Sequence, residues 1–221
     1  MRVIPAIFLA LALVAPGLPA AAAPIATACF GLPATIADHA GEIVGTPGDD
    51  VIIGDDGPNV VYGGGGTDRI CSAGGNDRLE TPCCGDPDDL FVDTGSGNDT
   101  GFLYAGSAIV ILTGPGDDRV YTGGGSGTIS LGPGVDYFNG SDGAEDVRGG
   151  DGSDEIEGSR GDDKIYGDAG TDKLYGDEGF DTIDGGTSKT RPRNGGRARI
   201  DRDLCQVGPD GGTVVNCERE V

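Results

Sequence analysis

The chain has no tryptophan, one methionine and one histidine, and aromatic residues make up 5% of it. Large rings dominate the cores of globular enzymes, so any core here is thin. The single histidine, His39, stands between Asp38 and Ala40, which excludes an HExxH zinc motif. A G-x-S-x-G nucleophile elbow is missing too, and no C-x-x-C pair argues for zinc. His39 reads as a solvated residue rather than a catalytic base. Cations are scarce: 15 Lys and Arg face 37 Asp and Glu, a formal charge of −22. That balance excludes nucleic acid as a partner. It also opposes compaction, because dense carboxylates repel one another. No helical periodicity of any length is present. Beyond the N-terminal region no stretch is apolar enough to cross a membrane.

What the chain has is glycine, 44 of them, and a strict period. From Gly149 it reads GGDGSDEIE, GSRGDDKIY, GDAGTDKLY, GDEGFDTID. The same phase opens at Gly45 with GTPGDDVII, GDDGPNVVY, GGGGTDRIC, SAGGNDRLE. Each unit carries Gly at its fourth place, a carboxylate or amide at its sixth and an apolar residue at its eighth. The first six places are turn formers. The last three are β-branched, aromatic or long, and extend. Side chains alternate along a strand, so the eighth places form an inward stripe. The expected stripe is Ile52, Val61, Ile70, Leu79, Phe91, Val110, Val120, Ile129, Phe138, Val147, Ile156, Ile165, Leu174 and Ile183. At Gly101 the stripe lapses, and Phe102 is expected to serve instead. Insertions are read at Thr81-Pro82-Cys83, Asp93 and Leu112.

The ends differ from the middle. Arg2, the apolar run Val3 to Val14 and the small residues Ala20 to Ala23 have the pattern of an export signal. Cleavage is read after Ala23 or Ala28, with lipoprotein anchoring at Cys29 as a weaker alternative. The expected organisation is signal and cleavage region 1–28, N-terminal cap 29–44, roll 45–184, and a basic loop with a disulfide cap 185–221. Six cysteines fit an oxidising compartment. Pairing Cys29 with Cys71 and Cys205 with Cys217 would staple both ends. Cys83 and Cys84 are left over, free to form a vicinal bridge, stay reduced or compete for Cys71. The basic segment Lys189, Arg191, Arg193, Arg197, Arg199, Arg202 reads as a solvated loop balancing acidic turns.

These units resemble the nonapeptide GGxGxDxUx of the repeats-in-toxin, or haemolysin-type calcium-binding, family, over about two thirds of the chain. The resemblance implies an all-β fold, a right-handed parallel β-roll (a solenoid) with two nine-residue repeats per coil. It implies several Ca²⁺ ions between stacked turns. Sixth-place Asp side chains would hold them, with carbonyls from second and fourth places of one turn and first and third places of the next. Residue by residue, Asp154 and Asp172 would give side chains, and Gly150, Gly152, Gly167 and Ala169 carbonyls. Asp163 and Asp181 would act with Ser159, Gly161, Gly176 and Glu178. Asp50 and Asp68 would act with Thr46, Gly48, Gly63 and Gly65. Asp136 with Asp154 would use Gly132, Gly134, Gly149 and Asp151, and Asp118, Asp99 and Asp77 continue that edge.

Independently of the resemblance, all recurring ligands are oxygen, which suits hard cations, and carbonyl-rich irregular shells favour Ca²⁺ over Mg²⁺. Sorted by edge, one column of sixth places reads Asn59, Asp77, Asp99, Asp118, Asp136, Asp154, Asp172. The other reads Asp50, Asp68, Asp89, Ala108, Gly127, Glu145, Asp163, Asp181, with an expected gap at Ala108 and Gly127. The export signal and cysteines depart from members of the family that leave by a one-step channel, and point to general secretion. The reading is a secreted calcium-binding repeat protein, not an enzyme, whose folding follows calcium. The alternatives are an adhesin that binds a cell-surface polymer or secreted protein, and a polysaccharide epimerase or lyase built on the roll surface.

Overall fold

The computed structural model describes residues 28–37, 41–81, 89–186, 203–217 and 219–220. Among these no helix occurs, and two ten-stranded parallel sheets account for most of the chain. Successive repeats alternate between the sheets. A strand therefore pairs with the one two repeats on: Glu155–Glu157 with Lys173–Tyr175, and Glu145–Gly152 with Lys164–Gly170. This is a parallel β-roll of nine-residue repeats with two repeats per coil. Each repeat buries one stripe that it cannot cover alone, so stability comes from stacking on neighbours.

The core is that stripe. Ile52, Val61, Ile70, Leu79, Val120, Ile129, Phe138, Val147, Ile156, Ile165, Leu174 and Ile183 are buried in a single cluster. Two expected members are misplaced. Val92 and Ile111, each 0% exposed, hold the inward places in register with Ile70 and Ile129, while Phe91 and Val110 face outward and are half-buried. The cause lies in the insertions. The offset between stacked carboxylates grows to 22 between Asp77 and Asp99, and falls to 19 between Asp99 and Asp118. The extra residues thus sit before Leu90 and within 103–108. Asp93 and Leu112 are ordinary paired strand residues, opposite Cys71 and Ser130. Gly101 keeps its inward place, between Leu79 and Val120. The hole it leaves is filled by Leu103, 1% exposed, not by Phe102. Phe102 faces outward and stacks on Tyr121 at 5.0 Å.

Both ends are stapled as expected. The hairpin Ala28–Cys29 and Leu32–Pro33 lies on the outer face of one sheet, where Cys29 packs with Val51 and Ile53 and bridges to Cys71. At the other end Cys205 bridges to Cys217. Strands Leu204–Gln206, Gly212–Val215 and Arg219–Glu220 carry both ladders past the last clear repeat. Residues 1–27 of the expected signal and cleavage region 1–28, His39, Cys83, Cys84 and the basic segment from Lys189 to Arg202 lie outside the described residues.

The revised register is testable. In calcium-containing buffer, Ile111→Ala should cost about 2–5 kcal/mol, the usual range for a fully buried aliphatic truncation. Val110→Ala should cost under about 1 kcal/mol, within the span of strand propensity. Urea unfolding of both variants decides; equal costs would return Val110 to the core.

Candidate metal centre

The turns are built for close stacking. Second places take left-handed backbone: Gly132 at φ 96, Gly150 at φ 109, and, without glycine, Ser159 at φ 76 and Asp168 at φ 64. Glycine enters that region without a Cβ penalty, and Asp tolerates it. Fourth-place glycines are needed for space. A Cβ on Gly170 would collide with the carbonyl of Gly152, and one on Gly152 with that of Gly134. The stacked turns hydrogen-bond directly. Gly134 N–H donates to Asp151 O at 2.9 Å, Gly132 to Gly149 O at 2.9 Å, Glu178 to Ser159 O at 2.8 Å and Gly161 to Glu178 O at 2.9 Å.

The sixth places form an inner ladder. Along the first edge, and at Asp68, Asp163 and Asp181 on the second, each aspartate uses Oδ1 to accept the N–H of the sixth-place residue one coil earlier. Asp118 N–H donates to Asp136 at 2.8 Å, Asp136 to Asp154 at 2.9 Å, Asp154 to Asp172 at 3.0 Å and Asp163 to Asp181 at 3.1 Å. Asn59, Asp77 and Asp99 extend the row toward the N-terminus. The second oxygens of Asp77, Asp99, Asp118, Asp136, Glu145, Asp154, Asp163, Asp172 and Asp181 are buried with no hydrogen-bond partner. No ion pair found among the described residues reaches them. Lys173 serves Glu155, Arg148 serves Asp168, and Arg160 lies between Asp142 and Glu178. Burial is the main reason their acidity falls. It lifts Asp77, Asp118 and Asp154 to about 6, Asp172 to about 7 and Asp136 to about 8, although the backbone N–H bond pulls the other way. Burial and the facing carboxyl of Asp163 raise Glu145 as well.

From Glu145 onward these orphaned oxygens lie against bare glycine Cα atoms. A Cβ on Gly149 would stand 2.5 Å from Asp154 Oδ2 and 3.0 Å from the Gly167 carbonyl. One on Gly167 would stand 2.5 Å from Asp172 Oδ2 and 2.9 Å from the Gly185 carbonyl. Gly158 has the same relation to Asp163 and Gly176, and Gly176 lies against Asp181. Each cradle therefore offers a carboxylate oxygen and a carbonyl oxygen, with no nitrogen or sulfur. Among the described residues no three His, Cys, Asp or Glu side chains converge, so main-chain oxygen must make up most of any shell. That donor set fits calcium.

The structure brings together the expected pairs Asp154–Asp172, Asp163–Asp181, Asp136–Asp154 and Asp118–Asp136. Gly150, Asp151 and Gly152 lie in register with Asp168, Ala169 and Gly170. Of the expected carbonyls, those of Gly149, Asp151, Ser159 and Glu178 accept neighbouring N–H groups, and each retains a second lone pair. The N-terminal pair is different. Asp50 and Asp68 do stack, at 3.1 Å. Asp50 Oδ2, however, already accepts from Thr46 N–H at 2.6 Å and Thr46 Oγ1 at 2.9 Å, with Thr35 on its other oxygen at 3.3 Å. Thr46 Oγ1 also bonds the carbonyl of Gly48, and the Thr46 carbonyl accepts from Gly65 N–H. Gly63 lies against Asp68.

The second edge needs correction. Leu90 and Ile109, not Asp89 and Ala108, occupy its sixth places, because Leu90 pairs with Asp68 and Ile109 with Gly127. The gap in carboxylates therefore spans Leu90, Ile109 and Gly127 and is apolar at two of the three. Asp203 was missed. It is 1% exposed and accepts Asp172 N–H at 3.0 Å, ending the first-edge row. Its signal was Asp203-Leu204-Cys205-Gln206, a sixth-to-ninth sequence with cysteine at the apolar place, stripped of the preceding glycine turn.

A family model described as the RTX calcium-binding nonapeptide repeat (4 copies) matches residues 44–79, 112–145 and 148–183. No curated protein and no solved structure matched the chain.

The raised carboxyls predict a pH dependence. A group whose folded pKa is raised stabilises the fold below its unfolded pKa, and that contribution is lost as pH rises through the folded value. Without calcium the roll should gain β signal on acidification from about pH 8 to about pH 5, across the window of Asp77, Asp136 and Asp172. Calcium competes with those protons, so its midpoint should fall as pH rises. Circular dichroism of chelated and titrated samples measures both; a chelated signal that falls on acidification would contradict the assignment.

Proposed function

We propose that this chain, which carries RTX calcium-binding nonapeptide repeats, is an exported protein whose roll folds as it takes up several calcium ions, and that it works by binding rather than catalysis. The observation that carries the reading is the row of buried carboxylate oxygens without a partner. Burying an ionised carboxylate unpaired costs several kcal/mol. Protons alone leave Asp77, Asp118, Asp154 and Asp163, at about 6, ionised at neutral pH. A bound divalent cation supplies the missing positive charge and takes the free lone pairs. The protein's own residues do the rest. Gly149, Gly158 and Gly167 leave room, Asp154, Asp163 and Asp172 offer the orphaned oxygens, and the stacked turns hold their carbonyls in place.

Because the cradles exist only between stacked coils, binding free energy becomes folding free energy. Few carboxylates per cradle imply weak sites, on the order of 10⁻⁴–10⁻³ M, the range of extracellular modules. That range suits a secreted protein. The export-like N-terminus and the two disulfides support the location. Disulfides at both ends constrain the unfolded chain, which lowers the ordering cost that calcium must offset.

A calcium titration followed by circular dichroism tests the proposal. The chelated protein at neutral pH should show little β signal, calcium should restore it, and magnesium at the same concentration should not. The rise should be gradual, as in an array of neighbouring units. A chelated sample with the full β signal would overturn the coupling.

A further inference from the structure

We infer that the C-terminal segment adds a cation site of its own beyond the recognised repeats, and that the Cys205–Cys217 disulfide holds that site together. The inference rests on the calcium-binding reading. The family match ends at residue 183, yet the cradle geometry does not. A Cβ on Gly185 would stand 2.9 Å from Asp203 Oδ2 and 2.6 Å from the Asn216 carbonyl oxygen. The relation is the one Gly167 has to Asp172 and to the Gly185 carbonyl, and the two cradles share that glycine. Asp172 is 0% exposed, and its Oδ2, buried without a hydrogen-bond partner, belongs to the adjoining Gly167 cradle. Asp203 takes the place of the next rung, accepting Asp172 N–H across 31 residues, and Leu204 N–H bonds Asp172 O at 2.8 Å.

The donors come from two segments far apart in sequence from the last repeat. Asp203 lies two residues before Cys205, and Asn216 lies one before Cys217. The disulfide joins these segments with Cα atoms 6.0 Å apart, so it clamps the chain that presents the oxygens. Two further contacts set the Asn216 carbonyl. Asn216 Nδ2 donates to Asp184 Oδ1 at 2.6 Å, and Gly185 N–H donates to Val215 O at 3.0 Å. Asn216 itself is left-handed at φ 55, a conformation Asn tolerates. Both donors are oxygen, one a carboxylate and the other a carbonyl, which selects a hard divalent cation.

The experiment counts calcium ions per full-length chain by equilibrium dialysis with radioactive calcium, alongside circular dichroism. It compares the native chain, Asp203→Asn, and the pair Cys205→Ser with Cys217→Ser. Asn can still accept Asp172 N–H, so Asp203→Asn should keep its calcium-induced β signal and bind one ion fewer. The serine pair retains every oxygen donor and loses only the clamp. It should bind its last ion about 10- to 100-fold more weakly, the scale on which supporting groups affect metal sites. That loss would support the site even where Asp203→Asn folds poorly. A native complement of ions at native affinity in both variants would overturn the proposal. If the native chain binds no calcium, it is the underlying reading that fails.

Discussion

A carboxylate oxygen buried with neither a hydrogen bond nor a counter-charge is among the most costly groups a fold can hold, and this roll holds a column of them. The rest of the architecture follows from that column. The stripe beneath it supplies one principal apolar residue per repeat, too little to offset a row of buried charges. Lateral ion pairs such as Lys173–Glu155 and Arg160–Glu178 are exposed and contribute little. The glycines that admit close stacking also leave the bare Cα atoms against which the orphaned oxygens point. Charge, glycine and period are therefore one design: a coil that closes properly only around something cationic.

The two ends of the roll meet the constraint differently. Near the N-terminus Asp50 is satisfied by Thr46 and Thr35, and Asn59 replaces a carboxylate. Leu90 and Ile109 fill two sixth places with hydrocarbon. Ser72, Thr94 and Thr113 stand at first places where later repeats have glycine, and their hydroxyls donate to carbonyls of the next coil. Leu131 holds the first place before Asp136, and from Gly140 onward the first places are glycine, with Ser141 Oγ donating to Glu145 Oε1 at 3.3 Å.

Much of this was legible in the sequence because a strict period ties side-chain direction to position. Ile156, Ile165 and Leu174 could be placed inward from spacing alone, while placing Asp154 over Asp172 needed the two-repeat coil that the family resemblance implies. Both disulfides followed from where the cysteines stood. Reading failed where the period broke. With several apolar residues in a row, as in Leu90-Phe91-Val92 and Ala108-Ile109-Val110-Ile111, alternation cannot say which parity faces in, and insertions read after these strands instead of before them shifted the register by one and put Phe91 and Val110 on the wrong face. Gly101 hid a different rule: the hole over a missing side chain was filled by Leu103, two residues on and on the same face. Asp203 was invisible because its turn has no repeat signature. Its position is set by strand pairing with Lys173–Tyr175 and by the Cys205 bridge.

Anomalous diffraction from a calcium-loaded crystal would test the central claim most directly, because it locates ions independently of any side-chain assignment. The account predicts peaks beside the orphaned oxygens of Asp154, Asp163 and Asp172, and none between the turns that carry Ile109 and Gly127. An ion between those two turns, or cradles at Gly149, Gly158 and Gly167 that remain without calcium at saturating concentration, would contradict it.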